Sequence, residues 1–559
     1  MGSTGTTHEV TNQPPPLEGH DVFGTDVALV EAVAREAPGR STDGLTSLGR
    51  LAGSAEAQRW GEQANESPPV LRSHDRFGHR LDRVDYHPAY HDLMRTAVAY
   101  GLHAVPWADT SPGSHVERAA KMIVWSQVDA GHTCPISMTY SVVPPLRQTP
   151  DLAAEWEPKL ATREYDPEPA PLADKAGVTC GMAMTEKQGG SDLRSNTTRA
   201  EPCGDGSFAL TGHKWFCSAP MSDAFLVLAQ APGGLSCFLL PRVLPDGESN
   251  VFRIQRLKDK LGDRSNASSE VEFDRSVAWP VGEEGRGIAT IIEMVNRTRL
   301  DCSLGSAAIM RHGTTRAIHH ARHREAFGAL LADQPLMSEV LADLALESEA
   351  ATAAALRLAG AYDRGGISTD TDGGDDRELV LARVATPVVK YWVCKRAPSH
   401  AAEALECLGG NGYVEESGMP RSYRQSPVNG VWEGSGNVMC LDVLRAIRRS
   451  PDSVEVFRKE LEAAAGTDEH YDEAIATASD GFDAVADGTL PESSARRLVE
   501  QLAVCFQASL LIRHAPAFVS DAFCASRLGG GGVAFGTLPA GVDSAAIVDR
   551  ASPSGTFGD

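Results

Sequence analysis

The chain of 559 residues has no run of about 20 apolar residues, so no segment is long and apolar enough to span a bilayer as a helix. It also lacks paired cysteines. Its 11 cysteines are scattered singly from Cys134 to Cys524, with no CxxC spacing. That excludes a zinc ribbon and a disulfide framework, and it suits reduced thiols in a cytoplasmic protein. Basic charge is scarce: the formal net charge is −23 and the pI about 5.2. A chain that embraces nucleic acid as a whole needs an excess of Lys and Arg, so that class is disfavoured. The opening MGSTGTTHEVTNQPPP has neither a basic start nor an apolar stretch, which argues against a secretory leader. MGSTGT loosely fits a myristoylation pattern, but no polybasic patch supports an anchor. No GxGxxG follows a strand pattern and no GxxxxGK[ST] occurs, which disfavours nicotinamide and P-loop enzymes.

What is present is a change of texture along the chain. Residues 1–178 carry helix-length apolar periodicity, as in HVERAAKMIVWSQVDA. Residues 179–283 turn strand-like, with CGMAMTE, SFALTGHKWFC, AFLVLAQA, LSCFLLPRVL and SSEVEFDRSVAW separated by Gly, Pro, Asp and Asn. Residues 284–449 return to a 3.6-residue period. Four long helices are expected, over 287–325, 335–363, 376–408 and 437–449, and they suggest a bundle. The acidic insert at 365–376 reads as a mobile surface loop. Residues 450–559 are helical again and hold 17 acidic against 7 basic residues.

Three segments carry chemistry. In MTEKQGGSD, Met184, Thr185, Gly190 and Ser191 leave a strand end with hydroxyls, and the paired glycines let backbone approach a ligand. In GHKWFCSAP, Phe216 offers a wall for a flat ring, and Cys217 and Ser218 stand beside it. In VNGVWEGSGN, Trp432 and Glu433 precede Gly434, Ser435, Gly436 and Asn437 at a helix start, where free amides favour a phosphate. A glutamate among apolar walls has its charged form disfavoured, which raises its pKa into the useful range for a base. No metal centre is expected. His319 and His323 share a helix face, but no carboxylate ligand pattern accompanies them.

Together these segments resemble the acyl-CoA dehydrogenase superfamily, and within it the alkylation-response, isovaleryl-CoA dehydrogenase-like branch. HARHREAFGALLADQ adds the Arg-x-x-Phe-Gly…Gln pattern at Arg324, Phe327 and Gln334, and ALECLGGNGYVEE adds a Gly-Gly-x-Gly turn. NQPPPL, CPISMTYS, RSNTTRAE and LKDKLGDRSNAS extend the likeness over nearly the whole chain. Two positions depart from the common pattern: Gln334 arrives one residue early, and Glu406 stands where glutamine is usual. The resemblance implies an α+β fold with an N-terminal helical domain (1–178), a middle antiparallel β domain (179–283), a four-helix bundle (284–449) and an extra helical domain (450–559). It implies an FAD-dependent acyl-CoA dehydrogenase-like oxidoreductase, with Glu433 taking the α proton of an acyl-CoA thioester. FAD contacts would fall on Met184, Thr185, Gly190, Ser191, Phe216, Cys217 and Ser218, and on the Trp432–Asn437 loop. Arg324, Phe327 and Gln334 would contact the FAD tail in a homotetramer, and an electron-transfer acceptor would reoxidise the flavin. The isovaleryl-type branch takes its base from the first bundle helix. That position is Thr298 here, which cannot serve, and Glu293 is more than a turn away. The alternative is a DNA-associated flavoprotein of the alkylation response with weak dehydrogenase activity. The acidic C-terminal segment disfavours DNA, although Arg445, Arg448 and Arg449 cluster before it.

Overall fold

A computed structural model describes residues 7–366 and 375–553 of the chain. Most of the acidic insert expected to be a mobile loop therefore lies outside the described residues. The amino-terminal part is mainly helical, and two of its helices reach the site. Helix α1, Ser114–Ser126, is buried along nearly its whole length. Its Arg118 donates a forked pair of hydrogen bonds to Asp301, so a fully buried cation meets a buried carboxylate. Helix α2, Thr133–Ser141, follows directly.

A hairpin interrupts this helical region where none was expected. Strands β1, Val70–His74, and β2, Arg80–Asp85, pair antiparallel. The sequence hides them because they are short and carry outward-facing charge. Their turn is built by Asp75, whose Oδ1 accepts from the amides of Phe77 at 2.8 Å and His79 at 2.9 Å. The Asp82 carboxylate docks the hairpin by accepting the Ile254 amide at 2.7 Å.

The middle sheet contains β3 (Cys180–Ala183), β4 (Arg199–Pro202), β5 (Phe208–Ser218), β6 (Ala224–Ala231), β7 (Gly234–Pro241), β8 (Arg253–Leu257) and β9 (Ser268–Val281). Its pairings are antiparallel, except that β3 and β4 run parallel to β6. Because β6 also pairs with β7, the sheet closes on itself. Phe225, Phe238, Phe252 and Phe273 belong to the apolar core of this sheet. The β5–β9 register shifts between Lys214 and Cys217, and that bulge decides the site's orientation. It leaves Phe216 52% exposed, while Cys217 is fully buried in the core.

The bundle follows. Helix α3, Gly287–His323, is followed by α4 (Pro335–Arg364), α5 (Asp376–Glu406) and α6 (Gly436–Arg449). Pro335 starts α4 where a missing N–H costs nothing, and Asp375 caps α5 with its side chain. Between α3 and α4 the chain turns through β10 (Glu325–Ala326) and β11 (Ala329–Leu330). Phe327 and Gly328 form that turn at φ +54° and +85°. Beyond α6 lie helices Pro451–Glu462 and Glu469–Ala486, then α7 (Ala495–His514), a helix over Ala517–Arg527, and α8 (Ser544–Ala551). Arginine–carboxylate forks fasten them to the bundle: Arg357 to Glu460, Arg527 to Asp343 and Glu347, and Arg550 to Glu349.

Candidate active site

Glu433 sits between η-type turns and the start of α6 in a left-handed conformation, φ +57°, which is uncommon for a residue with a Cβ. Two buried cations hold it there. The Lys390 ammonium, from the middle of α5, donates to the carbonyls of Asn429, Trp432 and Gly434 at 3.0, 2.9 and 2.8 Å. The Arg299 guanidinium, from α3, donates to the Glu433 carbonyl at 3.0 Å and is itself fixed by Asp442 at 2.8 Å. Gly434 then continues the turn at φ +100°, where an added Cβ would press on Met439 at 2.4 Å.

The Glu433 carboxyl has one hydroxyl partner. Thr298 Oγ1 lies 2.8 Å from Glu433 Oε2 and 3.0 Å from the Val295 carbonyl. The position that could not itself be a base is thus the neighbour of the candidate base. Burial pushes the Glu433 carboxyl above the ordinary glutamate range, and the Thr298 bond, Lys390 and Arg299 only partly pull it back. Glu293 lies elsewhere: its side chain is 47% exposed and faces Arg297.

The strand side of the site is equally well supported. Met184 and Thr185 are partly buried at the exit of β3. The loop after them is anchored by Glu186, whose side chain is fully buried against Lys214 at 2.8 Å. Glu186 also accepts from Thr197 and Thr198, amide and hydroxyl in each case, at 2.6–3.1 Å. Burial alone would raise this carboxyl; Lys214 and the four donors outweigh it and hold it below the ordinary range. At Gly190 a Cβ would meet Thr185 Oγ1 at 2.4 Å, so only glycine lets the loop fold back this tightly. Ser191 is exposed at the loop's end.

Phe216 and Ser218 lie on the outer side of β5, with Ser218 Oγ 3.1 Å from Ser268 Oγ. Cys217 corrects the sequence reading, because its side chain points the opposite way, into the sheet core. Its side chain is therefore removed from the candidate contacts. Cys134, on α2, belongs to the apolar cluster beside the site, and burial pushes its thiol up to about 12. Met184 and Trp432 pack against the same apolar cluster, which spans α2, β3 and the start of α3.

The loop after Glu433 is open to solvent at Ser435 and Asn437, and Gly436 opens α6. Asn437 is met from the carboxyl-terminal segment by Arg496 of α7, Nε to Oδ1 at 2.8 Å. Arg324, Phe327 and Gln334 are not near this place. They follow the far end of α3, about 38 Å from Thr298 at 1.5 Å per residue. Gln334 Nε2 donates to the Ala326 carbonyl at 3.1 Å, and Phe327 is entirely exposed.

Sequence reasoning missed Lys390, Glu186 and Cys134. The signal for Lys390 was a lone cation inside the apolar run ATPVVKYWVC, which on a buried helix demands acceptors. Glu186 stood inside a recognised motif, but its role depends on Thr197, Thr198 and Lys214, which only the fold assembles.

Comparison with known proteins agrees with this arrangement. The adaptive response protein AidB N-terminal domain matches residues 12–167, the acyl-CoA dehydrogenase middle domain 181–276 and the acyl-CoA dehydrogenase C-terminal domain 285–448. AidB of Escherichia coli (strain K12), classed with the acyl-CoA dehydrogenases, is 45% identical over 520 residues, 93% of this chain and 94% of that protein. The crystal structure of Caenorhabditis elegans ACDH-11 in complex with C11-CoA is 25% identical with a TM-score of 0.84, covering 98% of this chain and 97% of that one. An acyl-CoA dehydrogenase complexed with FAD from Bacillus anthracis shares the fold at 16% identity and a TM-score of 0.64, over 88% of this chain and 87% of that one. The likeness to AidB over nearly the whole length of both chains, with the three domain models matching in series, shows that the chain belongs to the acyl-CoA dehydrogenase family.

Proposed function

We propose that the protein is an FAD-dependent oxidoreductase of the acyl-CoA dehydrogenase type, with Glu433 as the base that takes the α proton of an acyl thioester. The observation that carries this reading is the Glu433 carboxyl: half-buried, raised above the ordinary range, and fixed by cations bound to the backbone rather than to the carboxyl oxygens. Of those oxygens Thr298 bonds Oε2, which leaves Oε1 to face a substrate. The strand side fits a flavin, since an exposed Phe216 stands beside the hydroxyls of Ser218 and Thr185 and a loop with paired glycines. Bound there, FAD would accept the hydride from the β carbon.

Thr298 serves both protonation states of the base. When Glu433 is ionised, the hydroxyl donates to Oε2. When Glu433 holds the substrate proton, the carboxyl donates to Oγ1 and the hydroxyl turns to the Val295 carbonyl, 3.0 Å away. The proton is therefore held on Oε2 without leaving the Thr298 hydroxyl unpaired. A positioned base of this kind contributes roughly 10²–10⁴ in rate.

The four sequence segments are proposed to act as the amino-terminal helical, middle, bundle and added helical domains of such an enzyme. Arg324, Phe327 and Gln334 are proposed to complete the FAD site of a second subunit within a homotetramer. The distance along α3 and the full exposure of Phe327 support this. ACDH-11 was solved with an acyl-CoA, which supports a thioester substrate here. For the alternative reading, a DNA-associated flavoprotein, the structure offers little. Arg458 and Lys459, which line a groove of about 450 Å³ with Arg448, face Asp483 and Glu455. Among the described residues, no helix is long and apolar enough to cross a membrane.

The test is anaerobic mixing of the purified protein with a panel of acyl-CoAs of different length and branching. Bleaching of the flavin absorbance by one of them is expected. A yellow protein reduced by no thioester would overturn the dehydrogenase reading, and a protein that cannot hold FAD would overturn the cofactor reading.

A further inference from the structure

The first described residues do not trail away from the molecule. They cross the far end of α3 as a proline-rich strap. His319 Nε2 lies 2.9 Å from the Pro15 carbonyl, and Asn411 Nδ2 is 3.4 Å from Gln13 Oε1. The decisive residue is Asn12. Its side-chain amide imitates a strand partner for Glu325: Nδ2 donates to the Glu325 carbonyl at 2.9 Å, and Oδ1 accepts the Glu325 amide at 2.7 Å. Its own carbonyl accepts a hydrogen bond from the Arg324 guanidinium. Three polar contacts thus join two positions more than 310 residues apart.

Asn12 adopts φ +56° to make this arrangement, a left-handed conformation that asparagine and glycine tolerate best. The contact adds a hold from outside to a short hairpin that Gln334 already ties at the Ala326 carbonyl. β10 and β11 are two residues each, their turn residue Phe327 is fully exposed, and Arg324 leaves the helix in extended conformation. A guanidinium on a tether this short and open would sample many rotamers. Fixing it before a ligand arrives removes its ordering cost from binding. Only part of the guanidinium's five donors is engaged by Asn12, so the remainder can grip an anion.

We propose that the amino-terminal strap is part of the cofactor-binding machinery, with Asn12 acting as a positioning residue that presents Arg324 and the Phe327 turn to the diphosphate of FAD bound by a second copy of the chain. This rests on the FAD reading and extends it to a segment outside the three chemical motifs. The strap also separates two roles that the sequence leaves merged: Arg324 contacts the ligand, and Asn12 determines where Arg324 points.

The test uses the full-length holoprotein. FAD release on dilution is followed by flavin fluorescence for the wild type, Asn12→Gly, Arg324→Gln and the double variant. Glycine keeps the positive φ and removes only the side-chain bridge, so the strap's backbone is not strained. Asn12→Gly is expected to weaken FAD retention about tenfold, the equivalent of 1.4 kcal/mol. The double variant is expected to be no worse than Arg324→Gln alone, because the Asn12 side chain, by pinning the Glu325 backbone, only sets the Asn12 carbonyl that Arg324 bonds. The thermal unfolding of the FAD-free chains is expected to match. FAD retention in Asn12→Gly equal to wild type, with Arg324→Gln impaired, would overturn the strap's role. Losses that add in the double variant would do the same. A wild-type chain that takes up no FAD would instead overturn the cofactor reading beneath it.

Discussion

The two ends of α3 are built in opposite ways. Its amino-terminal half carries Thr298, Arg299 and Asp301, all buried, and each is matched by a partner from elsewhere in the chain: Glu433, Asp442 and Arg118. Its carboxyl-terminal end runs into Arg324, whose guanidinium is held by the strap, and into Phe327, which is fully exposed. On the proposed reading, one end finishes its chemistry within a single chain and the other presents its groups to a second copy. A long helix can therefore serve two sites, one internal and one external, because its rise of 1.5 Å per residue separates them beyond the reach of any side chain.

Four changes would break or sharpen this contrast. The largest effect is expected from Glu433→Gln, which should slow anaerobic flavin reduction by a thioester roughly 10²–10⁴-fold while FAD content stays unchanged. Equal reduction rates in stopped-flow absorbance would take Glu433 out of the mechanism. Next comes Lys390→Met. It leaves three buried carbonyls without their donor, at about 1–3 kcal/mol for each orphaned group. Urea denaturation should show a loss of about 3 kcal/mol or more, together with slower flavin reduction. A variant as stable as wild type would mean the turn at Glu433 does not depend on that ammonium.

A smaller effect is expected from Thr298→Val. Because burial raises the Glu433 carboxyl, folding favours its protonated form. That contribution to stability is complete below the ordinary value of 4.5 and is lost as pH rises through the raised folded value. Proton abstraction needs the ionised form, so the rate rises over the same interval. Removing the Thr298 hydroxyl removes a bond that favours the ionised form, and the acidic limb of the pH–rate profile should move to higher pH. Thr298→Ser should restore it, and a profile that does not move would show that the hydroxyl only packs. The smallest effect on the isolated chain belongs to Phe327→Ala. An exposed turn residue contributes within about ±0.5 kcal/mol to stability. Sedimentation should nevertheless show weaker subunit association. If Phe327→Ala destabilised the chain as much as Lys390→Met, the contrast between the two ends would collapse.

Much of this was legible from residue patterns. The long apolar-rich stretches placed α3, α4, α5 and α6 within a few residues of their observed bounds, because each runs for helix length between turn and cap signals. The hairpin at Val70–Asp85 escaped for the converse reason: its strands are short, half exposed and rich in Arg and Asp. Strands β4 and β8 escaped likewise, being four and five residues long. Cys217 stands between Phe216 and Ser218, and consecutive strand residues face opposite sides, so its side chain enters the core while theirs face out.

The sequence by itself determined which groups are available: a glutamate at a glycine-rich helix start, a hydroxyl-bearing strand exit, an aromatic beside it, and an arginine after a long helix. Those are matters of residue type and local period, which the chain states directly. The tertiary structure decided which of them meet. Lys390 reaches three carbonyls about forty residues further on, Thr298 meets Glu433 across 135 positions, and Asn12 reaches Glu325 across 313. Such contacts carry no local pattern. A hydroxyl or an ammonium has the same sequence neighbours whether or not a distant backbone folds against it, and only burial, which makes an unpaired polar group costly, selects the pairing that is seen.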